Sequence, residues 1–467
     1  MNRPLAPQAS PMTAQPASLT VNNIIDDRPV TRFQMMTIGL CGFVLLLDGF
    51  DTQSMGFLAL PIAEELGIPV STFGSVFSAG LFGLMFGAMT SGPIADRWGR
   101  KWTLVLSTFT FGGFSLLTPL VDSLNGLVAL RFLTGLGLGG AMPNVVALAS
   151  EYAPKRLQPV LVTAIFVGMG AGAVVAGVLS SWLIPAWGWR SVFYVGGVAP
   201  IMLGVVLIRW LPESIRFLAV KGGSRAPIDR ILSQIAPDVD PARLDLSRTA
   251  EPRLQGVPFK HLFTEGRATG TLLLWLPFFM NLLILYFILS WLPALLRQAG
   301  MPVSAGITAV SLFSLGGIVG TLMQGPLMNA LGTPRVMVTE FFLSLTLVLV
   351  AASVFESFQL MMVVTFALGV CVQGAQAGLN VLSAMFYPTQ IRSTGVGWAL
   401  GVGRIGSIVG PLIGGLMLGV QWTPQQIFTA GAVPAACAAI AVIVSLRLHR
   451  EASPYRPQHT APVEPAH

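Results

Sequence analysis

Long apolar runs separated by short polar segments dominate this chain. Roughly 20 consecutive apolar residues are needed for a helix to cross a bilayer, and the pattern predicts twelve such spans. Six begin near Gln34, Thr72, Trp102, Leu124, Pro159 and Ser191, and six more near Ala268, Ser304, Arg335, Phe358, Ser393 and Gln425. Between the two sets lies a polar stretch, Pro212 to Arg267, richer in Arg, Asp and Pro. The expected class is an all-α polytopic membrane protein of twelve transmembrane helices in two six-helix repeats. The expected divisions are a disordered cytoplasmic arm (1–32), a first six-helix bundle (33–211), a central cytoplasmic loop (212–267), a second bundle (268–446) and a cytoplasmic tail (447–467). The first twenty residues are Pro-, Ala- and Ser-rich, without the apolar centre of a cleavable signal peptide.

Composition agrees: of 467 residues 53% are hydrophobic and 10% charged, where a soluble protein carries about 25% charged residues. The net charge of +7 does not point to nucleic acid, whose binders gather their basic residues on one face or tail. Here the basic residues are dispersed through short loops, which is a topology signal. Arg97, Arg100, Lys101, Lys155, Arg156, Arg335, Arg392 and Arg447 fall in loops of one parity. Glu64, Glu65, Asp122 and Glu356 fall in the other, with Arg190 and Arg297 as its basic exceptions. Both termini and the central loop are therefore expected to be cytoplasmic. Cys41, Cys371 and Cys437 lie in apolar segments without ligand spacing, and no histidine lies in an apolar run, so no metal or cofactor is expected.

The two sets of spans echo one another. Gly92-Pro93-Ile94-Ala95-Asp96-Arg97-Trp98-Gly99 follows the second span, and Gly325-Pro326-Leu327-Met328-Asn329-Ala330-Leu331-Gly332 follows the eighth. Tyr152-Ala153-Pro154 with Arg156 is echoed by Tyr387-Pro388 with Arg392. Paired six-helix repeats are an architecture of transporters, with the site near the midplane between them.

These residues resemble a family. Gly92-x-x-x-Asp96-Arg97-x-Gly99-Arg100-Lys101 is similar to the signature loop of the major facilitator superfamily, and Arg131-x-x-x-Gly135-x-Gly137-x-Gly139 to its second motif. Glu151-x-x-Pro154-x-Arg156 and Pro212-Glu213-Ser214 resemble motifs shared with sugar porters. The stretch Asp48-Gly49-Phe50-Asp51-Thr52-Gln53, with Ile25-Asp26-Asp27 and Gly139-Gly140-Ala141-Met142-Pro143-Asn144, resembles the aromatic acid:proton symporter family. The resemblance runs from about residue 21 to 447. It implies uptake of a benzoate-type carboxylate with protons across a bacterial inner membrane. The second copy of the signature loop departs from the pattern, with Asn329 in place of an aspartate and no Arg-Lys pair. Span five has no proline within its glycine run, which removes an antiporter motif.

Few ionisable residues remain inside the spans. Asp48 and Asp51 share a helix face at ~21 and ~26 Å of rise into span one, and Arg131 lies ~10 Å into span four from the other side. Asp51 and Arg131 are thus level in a ~30 Å hydrocarbon core; the pair is either functional or a structural bridge. Arg404, ~16 Å into span eleven, lies in Gly401-x-Gly403-Arg404-x-Gly406. Its planar fork matches a carboxylate, which makes it either the substrate anchor or a packing cation paired to Asp48. Proton coupling falls to Asp48 and Asp51 by elimination, since Glu340 is close enough to the cytoplasmic interface to snorkel towards Arg335. Gln373, Gln376 and Asn380 form one stripe of span ten. Asn281 and Tyr286 interrupt apolar span seven, where they contact substrate or bond neighbouring helices. Gating is expected at Gly92, Asp96, Arg97, Gly99, Arg100, Lys101, Glu151 and Arg156. Asp96 would dock on the helix start near Ser393, and Arg97, Arg100 and Lys101 would face cytoplasm and lipid headgroups.

The expected function is a proton-coupled symporter for aromatic carboxylates working by alternating access. It would be monomeric, with a proton gradient in place of any cofactor, and with lipid, protons and a small aromatic acid as its partners. A sugar or other organic-anion porter is the alternative within transport. A membrane chemosensor is the alternative outside it, against which the 56-residue central loop is short. No nucleophile-base set in the spans suggests an enzyme.

Overall fold

The computed structural model describes residues 21–26, 28–221, 225–238, 259–264, 266–355, 357–387 and 391–452. Twelve helical spans are long and apolar enough to cross a membrane. In the first half they are α2 (Arg32–Leu66), α3 (Phe73–Trp98), α4 (Arg100–Leu117), α5 (Leu124–Tyr152), α6 (Gln158–Trp187) and α7 (Arg190–Trp210). In the second they are α10 (Ala268–Gln298), α11 (Val303–Leu331), α12 (Thr333–Ser353), α13 (Phe358–Phe386), α14 (Arg392–Gly419), and α15 (Pro424–Ala430) with α16 (Ala432–Ala452), which together make the last span. Local chemistry sets several ends. A Thr31–Gln34 capping box starts α2, left-handed Gly67 ends it, and Ser123 and Ser357 cap α5 and α13.

The structure differs from expectation at two places on the face carrying the described chain ends, here the termini face. The arm expected to be disordered contains α1 (Val21–Asp26), with Ile24 and Ile25 buried. The central stretch, expected to be a loop, contains α8 (Ile215–Lys221) and α9 (Ala226–Ile235). Ile228, Ile231, Leu232 and Ile235 of α9 bury one stripe in the same apolar cluster as Ile24 and Ile25. Ion pairs join these pieces to each other and to the bundle: Arg28 with Asp238, and Lys155 with Asp26 at 3.4 Å. The Arg28 guanidinium holds the Asp238 carboxyl down at about 2.

Within each half, helices approach so closely at glycines that a side chain would strike a facing carbonyl. Cβ atoms built on Gly83 and Gly139 would lie 2.0 and 1.9 Å from carbonyl oxygens across the α3–α5 seam. Those on Gly316 and Gly369 would lie 2.1 and 2.0 Å from carbonyl oxygens across the α11–α13 seam. The same skeleton is therefore built twice.

Between the halves, one end is closed and the other open. At the face opposite the termini, one apolar cluster includes residues of both halves, with Phe77 edge-on to Trp291 at 5.3 Å. Ser78 Oγ donates to the Ile408 carbonyl at 2.7 Å across the same seam. At the termini face each half has its own cluster, and a cavity of about 1320 Å³ lies between them. Its wall runs from Thr52 and Tyr286 at mid-helix to Met89, Val162, Gly325 and Thr394 near helix ends on the termini face.

Candidate substrate cavity and charge sites

Arg404 stands in the cavity wall. Gly403 and Gly406 let α14 press on α10, since a Cβ on Gly406 would stand 2.1 Å from the Phe279 carbonyl oxygen. Gly401 faces the cavity, with nothing within 4 Å of a built Cβ. The guanidinium is thus held on a firm seam beside open space. Its Nη1 donates to Tyr286 Oη at 3.2 Å and its Nη2 to Met142 Sδ at 3.6 Å. Among the described residues no carboxylate lies within 4.0 Å of it, so the pairing with Asp48 considered above is not made. A half-buried cation bonded to a phenol and a thioether keeps most of its capacity for an anion.

Arg131 has the opposite surroundings. Nη1 and Nη2 both donate to the Asp51 carboxylate, each at 3.2 Å, and both residues are about 4% exposed. Ser115 Oγ adds a bond to Asp51 at 3.3 Å, and Phe193 presents its ring 5.4 Å from the guanidinium carbon. The pair lines a separate void of about 50 Å³ and is not part of the large cavity's wall. Arg131 thus makes the pair with Asp51 that their depths predict, and directs its fork at a buried acid. Asp48 accepts from Thr52 Oγ1 at 3.2 Å, no hydrogen bond joins it to Asp51, and Thr52 carries the contact onward to the cavity wall.

Gln373, Gln376 and Asn380 all line the cavity as one stripe, with Tyr286 on a facing helix. Asn281 does not reach it. Buried behind the wall, Asn281 donates through Nδ2 to the Val372 carbonyl and to Gln376 Oε1, both at 3.0 Å, and so holds Gln376 in place. Phe166, Trp398, Met85 and Met89 supply flat or polarizable apolar surface. Sequence reasoning gave no role to two glutamines in this wall. Gln53 keeps a buried Nε2 without a partner, and Gln324 a buried Oε1 without one. Polar residues among apolar neighbours were the available signal.

Glu340 also differs from expectation. It does not snorkel to Arg335 but turns inward, accepting from Gln324 Nε2 at 3.1 Å. Depth along a helix does not tell which way round the axis a side chain points.

The gating residues divide into two groups. Gly99, at φ +99°, opens a slot that Glu213 fills, since a Cβ there would stand 2.1 Å from Glu213 Oε2. Glu213 accepts from the backbone N–H of Lys101 at 3.0 Å and of Ser214 at 2.8 Å. Burial pushes its carboxyl up, against the pull of those amides. Lys101 Nζ donates to the Ile208 carbonyl at 2.9 Å, Ser214 Oγ donates to Glu151, and Tyr152 Oη donates to the Glu213 carbonyl at 2.7 Å. This network ties α3, α4 and α5 to the start of the central stretch. Gly92, Asp96 and Arg97 are more exposed, Asp96 pairs with Arg100 at 3.4 Å, and Arg156 donates to the Arg28 carbonyl at 2.7 Å. Asp96 is expected to dock on the helix start near Ser393, which is the start of α14 at Arg392; the Ser393 side chain itself lies outside what is described. Arg190, one exception to the charge asymmetry, is met by Glu65 and by Asp122 at 3.7 Å.

Twelve spans, a twofold repeat and a central cavity define a multi-pass membrane transporter built from two helical bundles. Comparison with solved structures agrees. The xylose transporter XylE from Escherichia coli, in a partially occluded inward-open conformation, superposes with TM-score 0.70 over 89% of this chain and 97% of its own, at 14% identity. The family model of the Major Facilitator Superfamily matches residues 41–338 and 302–466. The 4-hydroxybenzoate transporter PcaK of Pseudomonas putida is 41% identical over 91% of this chain and 96% of its own. The gallate transporter of Pseudomonas putida is 39% identical over 94% and 97%. The chain belongs to the major facilitator superfamily, within its family of aromatic acid transporters.

Proposed function

We propose that this protein imports aromatic carboxylic acids of the benzoate and hydroxybenzoate type together with protons, by alternating access. The observation that carries the reading is Arg404, a cation in the cavity wall bonded to Tyr286 and Met142 and to no carboxylate within 4.0 Å among the described residues. The substrate carboxylate takes the open donors of its fork. Phe166, Trp398 and the methionines cover the ring, while Gln376 and Asn380 offer polar contacts to ring substituents. The printed names of the relatives, 4-hydroxybenzoate and gallate transporters, support the substrate class.

Proton carriage falls to Asp48. Asp51 already faces a guanidinium, whereas Asp48 has the neutral Thr52 hydroxyl, and Thr52 borders the cavity. A carboxylate with no arginine bonded to it takes up a proton more readily than one locked to arginine. In this reading the termini face is the cytoplasmic face of a bacterial inner membrane, so the open cavity is an inward-open state. The protein works as a monomer and uses no cofactor beyond the proton gradient.

The test is uptake by proteoliposomes of labelled benzoate, 4-hydroxybenzoate and a hexose, with and without an imposed pH gradient. Accumulation of the two acids, driven by the gradient, is expected. Gradient-independent equilibration, or accumulation of the hexose instead, contradicts the proposal.

A further inference from the structure

The second half holds a carboxylate that the transport reading leaves unused. Glu340 lies in α12, and Gln324 of α11 donates to its Oε2 through Nε2 at 3.1 Å. Gln324 is 3% exposed and forms part of the cavity wall, and its Oε1 is buried with no hydrogen-bond partner. Two glycines of α13 make the room. A Cβ on Gly374 would stand 3.0 Å from Glu340 Oε1 and 3.3 Å from Gln324 Oε1, and one on Gly378 would stand 2.4 Å from Gln324 Nε2. The two Oε1 atoms therefore border the same gap.

Two acceptors beside one gap, with no donor between them, suit a carboxylate poorly and a carboxylic acid well. A proton on Glu340 Oε1 is donated to Gln324 Oε1, while the amide N–H stays on Glu340 Oε2. The acid and the amide then close a two-bond ring, and the orphan oxygen gains its partner. The surroundings offer no competing charge. From α13 the titratable neighbour is Cys371; from α11 the neighbour is the neutral amide of Gln324; and α16, also packed on α12, adds Ala438, Ala439 and Val442 to the apolar cluster there. Among the described residues no cation lies within 4.0 Å of Glu340.

We propose that Glu340 is a proton-binding site of the second half, whose acid form locks to Gln324 and so transmits protonation to the cavity wall. Proton binding here is independent of the substrate class; its linkage to uptake rests on the proton-coupled reading above.

Infrared difference spectra of the full-length protein in lipid, between acidic and alkaline pH, report the site directly. A carboxylic-acid carbonyl band that disappears on alkalinisation is expected in the wild type and is missing in Glu340→Gln. In Gln324→Leu the band persists at higher frequency, because its hydrogen bonds are lost. This second variant decides the matter if the first does not fold. An unchanged set of bands in either variant overturns the proposal. In transport, each linked proton changes half-saturation by up to about tenfold per pH unit, and Glu340→Gln is expected to lose the share of that slope beyond the one Asp48 supplies. A wild type indifferent to the gradient removes the proton-coupled reading, while the infrared result still decides the site.

Discussion

Arg131 of the first half and Arg404 of the second both lie on glycine-rich helix faces, yet their surroundings are opposite. One is closed on Asp51 by two bonds of 3.2 Å beside a 50 Å³ void. The other opens on a 1320 Å³ cavity, with a phenol and a thioether for partners. The carboxylates are reversed too. Asp51 faces a cation, whereas Glu340 of the second half faces an amide. A repeated skeleton has thus been given two electrostatic jobs. In the proposed reading, the cation with its acid in place is part of the scaffold, and the half-buried one without an acid is the receptor for the acid of a ligand.

The largest expected effect comes from breaking the closed pair. Asp51→Asn or Arg131→Met should destabilise the protein by about 3–5 kcal/mol, because either leaves one buried charge uncompensated. Asp51→Leu combined with Arg131→Met should recover most of the loss. Thermal or chemical unfolding in detergent measures this, and single variants within 1 kcal/mol of the wild type would mean that the pair is not closed.

Opening the comparison from the other side, Arg404→Gln should leave unfolding within about 0.5 kcal/mol of the wild type. It should also weaken aromatic acid binding by about 1.5–3 kcal/mol, the scale of a charged hydrogen bond. Equal losses in stability and binding would make Arg404 a scaffold cation like Arg131.

The repeated loop sharpens the contrast on a smaller scale. Gly99 and Gly332 both have positive φ, +99° and +85°, so alanine is strained at each by about 1–3 kcal/mol. Only Gly99 also abuts Glu213, while the nearest atom to a Cβ on Gly332 is Pro334 Cδ at 3.9 Å. Gly99→Ala should therefore cost more than Gly332→Ala in unfolding; equal costs would remove Glu213 from the network.

The smallest effect is that of pH on the same network. Burial raises the Glu213 carboxyl in the folded state, so the folded protein binds the proton more tightly than the unfolded chain. Stability then falls as pH rises from the ordinary carboxylate value through the raised one, and is regained on acidification. Glu213→Gln should abolish that slope, as read from unfolding midpoints across the acidic range.

The starts of all twelve spans were legible to within about two residues, because polar or charged loop residues mark where each apolar run of membrane-crossing length begins. Helices α1, α8 and α9 were not read, because polar composition masked them. The stripe Ile228, Ile231, Leu232 and Ile235 was nonetheless present in sequence, whereas Ile24 and Ile25 needed that partner in space. Helical rise put Asp51 and Arg131 level, and they meet. Rise alone left open which way Glu340 and Asn281 turn, and both turn towards neighbouring helices rather than to the interface or the cavity.

The division between a closed and an open arginine is tested most directly by calorimetry with 4-hydroxybenzoate and 4-hydroxybenzamide on wild type and Arg404→Lys. The wild type should prefer the acid, and Arg404→Lys should lose most of that preference, because an ammonium keeps the charge but not the planar fork. If Arg404→Lys weakens acid and amide equally, Arg404 does not read the carboxylate.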